Sequence, residues 1–157
     1  MKNRIVKMLL VAGFIVFITA GCESEETFSY HMSATIEGYQ WRTLMPATIM
    51  QNDKFVITGT SLNGKVLTLT IIGSKPGTYS FLKGKCMAVY KDSPTLSDDD
   101  AFASISGEVS LTEVDEENKK LSGTFSFKMV KKDDALNPLY IQQGVFDGIK
   151  YAFGNND

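Results

Sequence analysis

From Phe28 onward the chain reads as short stretches of alternating apolar and polar residues, parted by turn-forming positions. Lys65-Val66-Leu67-Thr68-Leu69-Thr70-Ile71 shows the pattern most cleanly. Leu67, Leu69 and Ile71 fall on one face and Thr68 and Thr70 on the other, as in a strand with one dry and one wet side. Ahead of it, Phe55 to Thr60 reads as a second strand, and Ser61-Leu62-Asn63-Gly64 joins the two. An Asn-Gly step between alternating runs predicts a hairpin in which both central residues accept positive φ. Phe28 to Glu37, Tyr39 to Arg42, Ala47 to Met50, Thr78 to Phe81 and Cys86 to Tyr90 read as further short strands. Glu37-Gly38, Asn52-Asp53 and Lys75-Pro76-Gly77 mark turns, and Ser93 to Asp100 an exposed loop.

Two longer runs follow. Ala103, Ile105, Gly107, Val109 and Leu111 are predicted to share a face in Ala101 to Thr112; Leu121, Gly123, Phe125, Phe127 and Met129 do so in Lys120 to Val130. Asp115-Glu116-Glu117-Asn118 between them predicts an antiparallel pair. Glycines at the inward positions 107 and 123 point to a bend or close approach where a sheet curls. Asn137-Pro138 is read as a break, and Tyr140 to Val145 and Gly148 to Phe153 as two last strands split at Asp147-Gly148. The expected fold is therefore all-β: one antiparallel domain of about eight to ten strands. Periodicity leaves open a strongly curled sheet (a partly closed barrel) or a two-sheet sandwich.

The N-terminus follows a different pattern. Lys2, Arg4 and Lys7 precede the apolar run Met8 to Ile18, and Thr19-Ala20-Gly21-Cys22 closes it. A basic start, a short apolar centre and small residues make a secretory signal peptide, and the run falls short of the ~20 residues that span a bilayer. The ending resembles a bacterial lipobox, although Thr19 stands where such motifs usually place Leu, Val or Ile. By that resemblance residues 1–21 are a lipoprotein signal peptide, and Cys22 receives a diacylglycerol. Residues 22–27, with Glu23, Glu25 and Glu26, form an acidic tether, and 28–157 the β domain. Acids directly after a lipidated cysteine resemble the surface-export signal of Bacteroidota lipoproteins. The expected location is the outer membrane, lipid-anchored, on the cell surface rather than the periplasmic face.

Of the chain's 157 residues, 16 are Lys or Arg and 18 Asp or Glu. Loss of residues 1–21 takes three cations with it, and the balance of the mature chain becomes −5. A surface of that sign argues against nucleic acid or anionic lipid as a partner, since both demand a basic footprint. With Cys22 committed to lipid, Cys86 is alone in an apolar run and expected to be buried, so no internal disulfide can form.

Ser33-Ala34-Thr35-Ile36-Glu37-Gly38-Tyr39-Gln40-Trp41, Leu121-Ser122-Gly123-Thr124-Phe125-Ser126-Phe127 and Gly144-Val145-Phe146-Asp147, taken with the lipobox, resemble a family of small Bacteroidota lipoproteins. That family is built on a single β-rich domain of unknown function. The resemblance implies location and fold, and brings no catalytic or ligand residues.

Candidate chemistry is sparse. His31 is the sole histidine, without a Gly-x-Ser-x-Gly elbow to serve. One histidine and one spare cysteine do not make a structural zinc site. Asp98-Asp99-Asp100 lacks the glycine-punctuated spacing of a calcium loop and reads as solvated. No metal or cofactor is implied. Phe125 and Phe127 read as core, whereas Tyr39, Trp41 and Arg42 are candidates for an exposed binding rim. The expectation is a non-enzymatic binding module for a glycan, a small apolar ligand or an envelope protein, held to the membrane by its lipid. The alternatives are a structural envelope protein acting through protein contacts, and a carboxylate-based hydrolase.

Overall fold

The computed structural model describes residues 29–154. The expected signal peptide, Cys22, the expected tether and Phe28 lie outside the described residues. Eleven strands follow in order: β1 Met32–Ile36, β2 Tyr39–Thr43, β3 Ala47–Gln51, β4 Lys54–Thr60, β5 Val66–Ile72, β6 Gly77–Ser80, β7 Cys86–Lys91, β8 Phe102–Asp115, β9 Lys120–Lys131, β10 Asp134–Lys150 and β11 Ala152–Phe153. They form one hydrogen-bonded sheet in the order β11-β3-β4-β5-β7-β8-β9-β10-β1-β2, with β6 paired to β8 off this path. Every pairing is antiparallel except that of β11 with β3. The sheet curls into a half-barrel, which removes the sandwich alternative.

Alternation builds the interior. Leu67, Leu69 and Ile71 of β5, Cys86, Ala88 and Tyr90 of β7, and Leu121, Phe125, Phe127 and Met129 of β9 are buried in one cluster. The curl follows from three pairs in register across neighbouring strands: Gly107 with Phe127, Gly123 with Phe146, and Gly144 with Phe125. At each pair the ring occupies the space that a side chain on the glycine would need. Strands can then bend sharply while aromatic area fills the inside of the bend.

Three local expectations are corrected. The β4–β5 hairpin is present, with Thr60 opposite Val66. Within its connection, however, only Gly64 is left-handed (φ +80°). Its N–H donates to Ser61 O at 2.9 Å, so Asn63 precedes a glycine bulge rather than sharing a two-residue turn. The turns with two left-handed residues are Glu37-Gly38 and Asn52-Asp53. In β8, Ala103 and Ile105 face outward and Ser104 inward, because a bulge at Ile105 shifts the phase before Val109 and Leu111 turn in. Finally, neither Asn137-Pro138 nor Asp147-Gly148 ends a strand. Pro138 falls in an unpaired stretch of β10, where its missing N–H costs no ladder bond, and Asp147-Gly148 is absorbed as a bulge.

The half-barrel has a seam. β2 ends the sheet on one side, and the other side turns back towards it, so that β2 lies against β4. Gly59 of β4 makes this approach possible: a side chain there would run into Trp41, Thr43 and Met32.

Candidate functional site

The seam is where the rim residues read from the sequence come together with residues from elsewhere. The two-residue turn Glu37-Gly38 sets Ile36 opposite Tyr39 and so fixes the register of β2. Trp41 and Thr43 then point into the core, while Gln40 and Arg42 point outward. Tyr39, at the strand's start, lies beyond the wall of the barrel and is 80% exposed, whereas Trp41 is 3% exposed. Trp41 is thus a core residue whose indole edge reaches the seam, and not an exposed rim platform. Burial of its ring is accompanied by a partner for its one polar atom: Nε1–H donates to Lys65 O at 3.1 Å, across the seam.

The tip of the β4–β5 hairpin forms the opposite wall. Ser61 N–H donates to Lys65 O at 2.9 Å, and Ser61 Oγ accepts from Lys65 N–H at 3.1 Å. Ser61 Oγ donates in turn to Asn63 Oδ1, which holds the amide at the cleft. Between the walls lie two adjoining depressions. One, of about 340 Å³, is lined by Tyr39, Gln40, Trp41, Asn63 and Lys65. The other, of about 410 Å³, is lined by Tyr30, Gln40, Arg42, Ser61, Leu62 and Asn63. Gln40 and Asn63 belong to both. Gln40 is braced from behind: its Nε2 donates to Thr35 Oγ1 at 3.0 Å, and Thr35 donates to Gln143 Oε1 at 3.2 Å. The Arg42 guanidinium lies 5.1 Å from the centre of the Tyr30 ring, and Lys65 Nζ lies 3.4 Å from Asp92. The cleft therefore offers an open aromatic ring, two amides and two cations.

The remaining candidates are dispersed. His31 is exposed, with Nδ1 3.3 Å from Asp147 O, and the hydroxyl of Ser122 donates to the Asp147 carboxylate at 3.1 Å. The aspartate run is occupied by its neighbours: Asp98 pairs with Lys91 at 2.6 Å, Asp99 with Lys132 at 2.8 Å, and Asp100 accepts from Ser97. The Lys91 hydrogen bond holds the Asp98 carboxyl below its ordinary value. Asp115 accepts from Asn118 N–H and Nδ2, which lowers it too. Among the described residues no three potential metal ligands cluster. Phe125 and Phe127 are core, and Cys86 is buried, its thiol pushed up by loss of water. Cys22 lies outside the described residues.

Sequence reading supplied Tyr39, Trp41 and Arg42 of this cleft and missed Gln40, Ser61, Asn63, Leu62, Lys65 and Tyr30. The Asn-Gly step announced the hairpin, but nothing in the sequence says that its tip, more than twenty residues from Trp41, folds against β2.

The chain belongs to the family described as a domain of unknown function (DUF6252), which matches residues 29–150. No curated protein and no solved structure matches the chain.

Proposed function

We propose that this member of the DUF6252 family is an outer-membrane lipoprotein, displayed at the cell surface, whose β domain binds a ligand without transforming it. The basic leader, Cys22 and the acids of the tether support the location. The observation that carries the binding role is the seam cleft, in which Tyr39, Gln40 and Arg42 of the edge strand face Asn63 and Lys65 of the β4–β5 tip.

A glycan suits this cleft best. The Tyr39 ring offers a flat apolar surface to the carbon face of a sugar, and the Gln40 and Asn63 amides each carry a donor and an acceptor for hydroxyls. A small apolar molecule gains most from an enclosed pocket, and the cleft is open to solvent. The second reading, a structural envelope protein, draws on β2 itself. One edge of that strand is unpaired, and an extended partner segment could add to it. The hydrolase reading has no comparable support, since the acids of the Ser97–Asp100 region are held by Lys91, Lys132 and Ser97.

The test is a glycan array probed with the purified protein, followed by titration of the best ligand into Tyr39→Ala. With Tyr39 so exposed, that variant keeps the fold. It is expected to lose about tenfold in affinity, the equivalent of one aromatic contact. No binding across the array, or equal binding by the variant, defeats the glycan reading.

A further inference from the structure

The chain enters the described domain at Ser29, Tyr30 and His31, seven residues after Cys22. Even fully extended, a segment of that length spans only about 25 Å. If Cys22 carries lipid, whatever surrounds Tyr30 and His31 is held close to the headgroups.

The depressions beside them are lined by apolar and cationic side chains, with the exposed Asp147 next to His31. Met32 pairs with Thr43, so the residues before β1 run alongside those after β2. His31 lines a depression of about 360 Å³ with Leu44, Met45, Pro46, Lys120 and Lys150. Tyr30, on the neighbouring side, lines the 410 Å³ depression with Arg42 and Leu62. No carboxylate lines either one. Met45 is 87% exposed and Leu62 86%, each standing at a loop tip with nothing packed over it. Arg42 and Lys150 take part in none of the three ion pairs found among the described residues, and Lys120 has Asp115 for an electrostatic neighbour. Apolar tips interleaved with long cationic side chains are what an interfacial surface presents to a bilayer. The tips enter the acyl boundary, and the stems of Lys and Arg lie along it with their charges at the phosphates.

We infer that this face, built from Tyr30, His31, Arg42, Met45, Leu62, Lys120 and Lys150, docks on an anionic lipid surface and fixes the domain's orientation on it. The inference rests on the anchored reading above. The occupant follows from the short reach of the tether, which holds this entry face near the bilayer, and from Arg42, Lys120 and Lys150 around depressions that no carboxylate lines, a local exception on a domain that is acidic as a whole. One consequence is that the Arg42–Leu62 depression faces the lipid, which leaves the adjoining Tyr39–Lys65 depression to the ligand.

Depth-dependent quenching tests it. The buried Cys86 leaves an introduced cysteine as the reactive thiol of the lipidated, full-length protein. A fluorophore is placed at Met45→Cys or Leu62→Cys, and for comparison at Leu136→Cys or Leu82→Cys, whose native side chains are 91% and 84% exposed. Each protein is reconstituted on vesicles of phosphatidylethanolamine and phosphatidylglycerol containing a phospholipid spin-labelled near its headgroup. Flotation is checked first. The expected result is loss of most fluorescence at positions 45 and 62 and little change at 136 and 82, with the difference abolished in the Lys120→Glu, Lys150→Glu background. A protein that floats and shows equal quenching at all four positions overturns the docking face alone. A protein that fails to float overturns the anchored reading, and the docking face with it.

Discussion

Phe125 of β9 lies with its ring directly over Gly144 of β10, its partner in register, so that the ring fills the place where a side chain on residue 144 would stand. The same ring stacks on Phe146, two residues further along β10, with centroids 6.2 Å apart and planes 20° from parallel. Phe146 in turn covers Gly123, back on β9. The two strands exchange ring for glycine alternately. This is how two long strands pack their aromatics inside a tight curl without voids.

Gly144→Ala should therefore destabilise the domain by overpacking, by about 1–3 kcal/mol, because the buried Phe125 ring, stacked on Phe146, already occupies the space of the added methyl group. Gly148→Ala makes a contrast. Nothing lies within 4 Å of a methyl group there, but φ is +55°, so the cost is backbone strain of about 1–2 kcal/mol. Urea midpoints measure both. A Phe125→Leu background should relieve the first and leave the second unchanged, and equal behaviour of the two variants in that background would refute the ring-over-glycine account.

Trp41 clasps the seam through one hydrogen bond to Lys65 O. Trp41→Phe keeps an aromatic ring in the core but removes the donor and part of the volume. The expected loss is about 1–3 kcal/mol in chemical denaturation, with faster amide exchange through β2 and the β4–β5 tip than through β9. Uniform acceleration over the whole sheet would show that the indole supports the core generally and does not hold the seam.

The strands were legible in the sequence because alternation at period two is set by burial alone. Leu67, Leu69, Ile71 and the inward face of β9 needed no tertiary knowledge. Where the phase slips, the sequence is silent. Ile105 and Thr112 are ordinary strand residues, and only the pairing with β9 makes bulges of them. Breakers misled in the opposite direction, since Pro138 and Gly148 stop a strand only if their neighbours cannot absorb them. The seam was the least legible feature. It depends on the curl of the sheet, set by three Gly–Phe pairs scattered over β8, β9 and β10, and so no local pattern near Trp41 reveals that Asn63 will face it.

Tyr90 gives a pH prediction. Its hydroxyl donates to Asp92 Oδ1 at 3.1 Å, and burial, followed by the charge and hydrogen bond of Asp92, raises it above the ordinary tyrosine value of 10.0. A group that holds its proton more tightly in the folded state stabilises less and less once the unfolded chain begins to release it. The contribution of Tyr90 to stability is thus constant below about pH 9 and falls as pH rises past about 10. Tyr90→Phe should flatten that alkaline slope, after a constant offset for the lost hydrogen bond. Parallel slopes in urea titrations above pH 10 would place the alkaline loss elsewhere, with Cys86 and Tyr151, both also raised by burial, next to be examined.

The proposed anchor makes two separable predictions, since attachment and export are assigned to different residues. One acyl chain holds a protein only marginally, whereas a diacylglycerol on Cys22 gives firm retention. Cys22→Ser should accordingly move the protein from the membrane pellet to the soluble fraction, and a variant still in the pellet would defeat lipid anchoring. Glu23, Glu25 and Glu26 have no apolar neighbour to bury, so replacing all three by Ala leaves the fold and the lipid unaffected. If those acids direct display, the triple variant remains in the pellet but becomes resistant to protease added to intact cells. The two readouts are independent: fractionation moves with Cys22 and protease access with the acids. Equal cleavage of the triple variant and the native protein would leave the anchor in place and remove the acidic tether as its export signal.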